Sequence, residues 1–112
     1  MHAVFYRGAD GHEPVSDFLN ELPPAVQAAL VLQIERLNML KSTDPSLPFP
    51  HSSQIEGELR ELRCHYGRRL FRILFRRCAH LFVLLHIFEK VTGAVPEVDK
   101  QVARERLSAT DG

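Results

Sequence analysis

The sequence predicts an α+β domain: an antiparallel twisted sheet in the order β-α-α-β-β-β-α, with the helices packed on one face. Three observations lead there. The apolar period is helical over residues 14–41 and becomes two from Glu58 onward. Pro14, Pro24 and Pro96 stand where helices begin. Gly67 and the segment Cys78-Ala79-His80 separate three alternating runs.

Each element can be justified in turn. Val4-Phe5-Tyr6 reads as a short first strand, and Asp10-Gly11-His12 is turn chemistry. Pro14 opens a helix in which Val15, Phe18, Leu19 and Leu22 recur at helical spacing. Pro23-Pro24 ends it and starts a second helix to about Lys41. There Val26, Leu30, Ile34, Leu37 and Leu40 form one apolar stripe. Residues 42–53 hold three prolines among small polar residues and read as a loop. Leu59 to Cys64, Leu70 to Arg76 and Leu81 to Phe88 read as strands. A last helix from Pro96 to about Leu107 carries Val98, Val102, Ala103 and Leu107 on one side.

A length of 112 residues fits one domain over 1–112, with a flexible end expected at about 108–112. The 45% apolar content permits a packed core. The longest apolar run, Leu81–Leu85, is strand length and far from a membrane span. Met1-His2-Ala3-Val4 lacks the basic start and apolar stretch of a signal peptide, so a cytoplasmic protein is expected. Cys64 and Cys78 are too few for a disulfide framework and lack metal-ligand spacing. They read as buried or half-buried thiols. The six histidines form no metal-ligand pair, and no metal or cofactor is expected.

Net charge is zero, but its distribution is uneven. Residues 1–59 sum to −5, residues 60–77 to +6 and residues 78–112 to −1. Seven of the fourteen basic residues fall in that central stretch, as Arg60, Arg63, Arg68, Arg69, Arg72, Arg76 and Arg77. Local clustering of this kind is the footprint of a polyanion partner.

The central hairpin can be registered from sequence. On one strand Phe71, Ile73 and Phe75 share a face, opposite Leu70, Arg72, Leu74 and Arg76. On its neighbour Leu62 and Cys64 share a face, opposite Glu61, Arg63 and His65. The aromatic set must face the helices, which puts the arginines on the other side. With Gly67-Arg68 as a two-residue turn with glycine first, Arg63 lies directly across from Arg72. Like charges directly opposed destabilise a sheet. A phosphate gripped by both guanidiniums relieves that repulsion. The bland alternative is a solvated strand face neutralised by Glu61 and Glu58.

Arg68 and Arg69 at the turn read as general electrostatic contacts, and Arg76 and Arg77 belong to the far end. Lys90 follows the last strand and can approach the phosphate of Arg72. The loop into the final helix can offer backbone N–H groups to an anion. Candidates for proton transfer are His65 on the arginine face, Tyr66 at the turn and His86. Of these His86 also reads as a core or boundary histidine. His51 lies in a loop within reach of the sheet edge.

The ordered segments Leu59-Arg60-Glu61-Leu62-Arg63, Phe71-Arg72-Ile73-Leu74-Phe75 and Leu84 to Lys90, with Thr92, Pro96, Ala103 and Arg106, resemble the HigB branch of the RelE/ParE toxin superfamily. The phage-derived subgroup of that branch is the nearest pattern, and Phe5-Tyr6-Arg7 and Pro14-Val15 with Phe18-Leu19 fit its start. The resemblance implies a RelE-like fold and the toxin of a type II toxin–antitoxin system. It further implies a metal-independent, ribosome-dependent endoribonuclease in which the RNA 2′-OH attacks the neighbouring phosphate. Arg63, Arg72 and Lys90 match its catalytic cations, and Arg60, Arg68, Arg69 and Thr92 fall on its RNA-binding surface. The implied partners are a helix-turn-helix antitoxin and mRNA on the ribosome. Val91 and Ala94 stand where the subgroup has lysines. Two alternatives stay open: a toxin-fold protein acting by binding to gyrase or an antitoxin, and a general RNA-binding module.

Overall fold

A computed structural model describes residues 1–89 and 93–110. The elements are β1 (His2–Phe5), α1 (Pro14–Asn20), α2 (Pro24–Asn38), β2 (Ser52–Glu56), β3 (Leu59–Tyr66), β4 (Arg69–Cys78), β5 (Leu81–Glu89) and α3 (Glu97–Ala109). They form one five-stranded sheet in the order β1-β5-β4-β3-β2.

The structure departs from the sequence reading in three ways. The sheet is mixed, because β1 runs parallel to β5 while every other pair is antiparallel. A fifth strand, β2, begins at Ser52, inside the stretch read as loop, and pairs with β3. The helices cover both faces. Val15, Leu19, Val26, Leu30, Ile34 and Leu37 of α1 and α2 pack on Leu62, Cys64, Phe71, Ile73 and Phe75. Ala103 and Leu107 of α3 pack on the opposite face, with Leu59, Leu74, Val83 and Leu85. That second apolar set needs a cover of its own, which is why a one-sided arrangement fails.

The helices start where the prolines require. Pro14 and Pro24 occupy first-turn positions, and neither helix has a side-chain cap. Glu97 and Asp99 in the first turn of α3 suit the positive end of its dipole. Val98 does not share the buried side expected of it. It is exposed, and Ala103 is the residue of α3 that is fully buried. Ser108 and Ala109, within the end expected to be flexible, belong to α3, while residues 111 and 112 lie outside the described residues.

The hairpin register is the one derived from sequence: Leu62 opposes Ile73, and Arg63 opposes Arg72. Gly67 has φ of 59°, and Arg68 is not among the positive-φ residues, as a glycine-first turn requires. Fully burying Phe71 or Ile73 contributes about 1.5–3 kcal/mol each relative to exposure. A one-residue slip would send Arg72 and Arg76 into that core instead. Burial therefore fixes which face the arginines occupy.

In β5 the register shifts near Leu85, since Leu74 opposes His86 but Phe75 opposes Leu84. The bulge leaves the Leu85 carbonyl to accept a 2.8 Å hydrogen bond from Arg106 Nη1. Cys64 is buried and Cys78 half-buried, both free. Burial pushes the Cys64 thiol up to about 12. Among the described residues no helix is long and apolar enough to cross a membrane.

Candidate functional site

The second sheet face is apolar under α3 but polar where β3 and β4 run toward the turn. Arg63 and Arg72 stand side by side there, with Glu61 two residues before Arg63 on the same strand face. Glu61 and Arg72 are almost wholly buried, at 3% and 4% exposure. The arginine face, expected to lie away from the helices, is thus covered at Arg72. Its strand is covered on both faces, so its guanidinium reaches solvent only through a cavity.

That cavity has a volume of about 230 Å³. Its walls are Gln54 and Ile55 from β2, Glu61 and Arg63 from β3, Arg72 from β4, Gly93, Ala94 and Val95 before α3, and Lys100 on α3. Among the described residues three cations thus face it against one carboxylate.

The internal geometry is loose. Glu61 Oε1 lies 3.5 Å from Arg63 Nη1, and Glu61 Oε2 lies 3.5 Å from Arg72 Nε. Ser53 Oγ donates a 2.9 Å hydrogen bond to Glu61 Oε1. Glu61 Oε2, Arg63 Nε and Arg72 Nε are buried and have no hydrogen-bond partner among the described residues. Buried polar atoms left without a hydrogen bond cost about 1–3 kcal/mol each unless something completes them. A tetrahedral oxyanion entering the cavity would meet two guanidinium forks, and the free carboxylate oxygen can accept a proton.

The other residues singled out from sequence fall in different places. Arg60 is on the opposite sheet face, bonded to Ser52 Oγ and the Leu47 carbonyl. Burial holds its pKa below the ordinary value. Arg69 is held by Glu89 in a bidentate pair at 2.7 and 2.9 Å, over the Phe71 ring. That pairing raises the Arg69 pKa and lowers that of Glu89. Arg68 is exposed at the turn, and Tyr66 opposes Arg69 at the hairpin end. Arg76 meets Glu58 at 3.1 Å, and Arg77 bonds the Ser42 and Asp44 carbonyls. His65 lines a separate cavity next to Arg63. His86 is engaged elsewhere, 2.7 Å from Asp99 Oδ1 and stacked on Phe88. Lys90 and Thr92 lie outside the described residues. Gly93, Ala94 and Val95, which follow them, do reach the cavity.

Two charged members of the cavity do not follow from the sequence reading. Glu61 was read only as a neutraliser, although its alternation with Arg63 placed it on the same face. Lys100 had no usable signal, because the orientation of α3 over the sheet is a tertiary property. Among the described residues no group of three or more His, Cys, Asp and Glu side chains is arranged to hold a metal ion.

The family model of phage derived protein Gp49-like (DUF891) matches residues 17–108, which include every described member of this cavity. The chain belongs to that family. No curated protein matches it.

Proposed function

We propose that this Gp49-like protein is the toxin of a type II toxin–antitoxin pair, and that it cleaves mRNA on the ribosome in the manner of HigB-type toxins with a RelE-like fold. The Gp49-like family is related to RelE-type toxins of toxin–antitoxin systems. The observation that carries the reading is the opposed pair Arg63 and Arg72 beside a buried carboxylate oxygen with no hydrogen-bond partner, all facing one cavity.

In this reading the cavity receives the phosphate between two nucleotides. Glu61 Oε2 takes the proton of the 2′-OH as that oxygen attacks phosphorus. The bond to the 5′-oxygen breaks, and the departing oxygen takes a proton from solvent. Arg63 and Arg72 face the extra negative charge of the five-coordinate phosphorus, where each such donor commonly contributes ~2.7–4 kcal/mol. Lys100 adds a third positive charge at the rim. A helix-turn-helix antitoxin is the proposed partner.

Two observations favour a second reading, action by binding alone. Glu61 already offsets one of the two arginine charges at 3.5 Å, and Val91 and Ala94 replace lysines of the resembled motif. Inducing the protein alone in bacteria and mapping mRNA ends separates the two. Growth arrest with in-frame cleavage supports the nuclease. Arrest with intact mRNA and a DNA-damage response supports binding to gyrase. Salt-sensitive RNA binding with neither effect points to a general RNA-binding module.

A further inference from the structure

We propose that a second cavity, adjoining the first through Arg63, holds a nucleobase next to the gripped phosphate, with Phe49 as its stacking platform. The inference rests on the phosphate reading above.

Strand β2 pairs with β3 only as far as Leu62, opposite Ser52. Beyond that point the outer edge of β3 is closed by other groups. The Arg63 N–H donates to the His51 carbonyl at 2.9 Å. The Arg63 carbonyl accepts from Gln33 Nε2 at 2.9 Å. Between these contacts is a cavity of about 220 Å³, lined by Ala29, Gln33, Pro50, His51, Arg63 and His65. Arg63 is the one described residue that lines both cavities.

The two cavities differ in chemistry. The first is lined by three cations and a carboxylate. The second has Arg63 at one wall and otherwise an amide, two imidazoles and apolar surface. A nucleic acid strand alternates charged linkages with flat, neutral, hydrogen-bonding rings, and the paired cavities repeat that alternation.

Phe49 is not part of the lining of the second cavity but precedes Pro50, which is, and packs its ring against Arg63, so it is assigned the stacking surface at the mouth. It is 70% exposed, whereas the other phenylalanines are buried or half-buried. Its ring centroid lies 5.4 Å from the Arg63 guanidinium carbon. An exposed aromatic beside an arginine is the usual platform for an unpaired base.

The imidazoles supply polar contacts. Gln33 Nε2 lies 3.3 Å from His51 Nδ1. Because an amide nitrogen can only donate, His51 Nδ1 accepts, and its ring proton sits on Nε2 as a donor. The Gln33 oxygen is itself held by Arg36 Nε at 2.8 Å, which fixes the amide orientation. The His65 ring has no hydrogen-bond partner among the described residues and offers one donor and one acceptor when neutral.

The test measures binding of two short probes to the full chain. One is a trinucleotide with 2′-O-methyl sugars, which cannot be cleaved. The other has the same backbone without bases. Wild-type protein should bind the base-bearing probe more tightly. Phe49→Ala should remove roughly 5- to 150-fold of that affinity, the range of one stacked base, and leave the abasic probe within about twofold. Phe49→Trp should restore it, and His51→Ala should act in the same direction as Phe49→Ala. Arg72→Ala should weaken both probes by one common factor. Equal wild-type affinity for the two probes would overturn the base site and leave that edge of β3 to a protein partner. Loss of both probes in Phe49→Ala would also overturn it. An abasic probe indifferent to Arg72→Ala would instead defeat the phosphate reading beneath it.

Discussion

Arg104 on α3 bonds Glu56 Oε2 and Oε1 and Glu97 Oε1, each at 2.7 Å, while Arg72 on β4 stays 3.5 Å from Glu61 and its Nε has no hydrogen-bond partner among the described residues. The first cluster is half-exposed, saturated and holds α3 against the edge strand. The second is buried, carries more arginines than carboxylates and borders a cavity. Exposed pairs are commonly worth only about 0.2–1 kcal/mol, and reach the upper end where, as here, the geometry is bidentate and several charges are linked. Buried unsatisfied charges are costly, and a fold retains them where they meet something else. The contrast separates an arginine that fastens the fold from one held ready for a ligand.

Removing the lone carboxylate should have the largest effect. Glu61→Gln leaves the buried Arg72 guanidinium opposite the half-buried Arg63 with no anion, which costs about 3–5 kcal/mol. The melting temperature should fall by at least ~12 °C, and added sulfate should recover part of the loss. A fall of only a few degrees would mean that the arginines do not repel as their placement demands.

Arg72→Met should separate activity from stability. RNA cleavage should fall by roughly 10²–10³-fold. Stability should hold or rise by ~1 kcal/mol, because one of two like charges becomes an apolar side chain of similar shape. Cleavage kept within tenfold, or a clear loss of stability, would erase the distinction between the clusters.

Arg104→Ala should do least. The melting temperature should fall by only about 1–4 °C. Hydrogen bonding to Arg104 holds the Glu56 carboxyl below its usual range. A carboxylate depressed in the folded state stabilises above its unfolded value of ~4.3, and that contribution is lost as pH falls through the depressed value. An NMR titration of Glu56 should therefore move up toward ~4.3 in the variant.

The hairpin was legible because local rules suffice. A glycine-first turn fixes the pairing, and the Phe71, Ile73, Phe75 alternation fixes the face. Strand β2 was not legible, since Ser52-Ser53-Gln54-Ile55-Glu56 has a single β-branched apolar residue and pairs only because β3 offers it an edge. The parallel β1–β5 pairing was hidden for the same reason, as four residues carry no record of their partner. A signal for the two-sided cover was present and unused. Leu70 and Leu74 alternate with Phe71, Ile73 and Phe75, so β4 is apolar on both faces, as a doubly covered strand must be. Reading that signal would have placed α3 over the arginine face and made Arg72 a buried cation.

The most direct measurement is the salt dependence of single-stranded RNA binding, for wild type and for Arg72→Met. Neutralising about three to four phosphates predicts a slope of log K against log salt of roughly −2 to −3, shallower by about 0.7 once Arg72 is gone. A flat wild-type profile, or a slope that ignores the loss of Arg72, would contradict a phosphate site built on the opposed arginines.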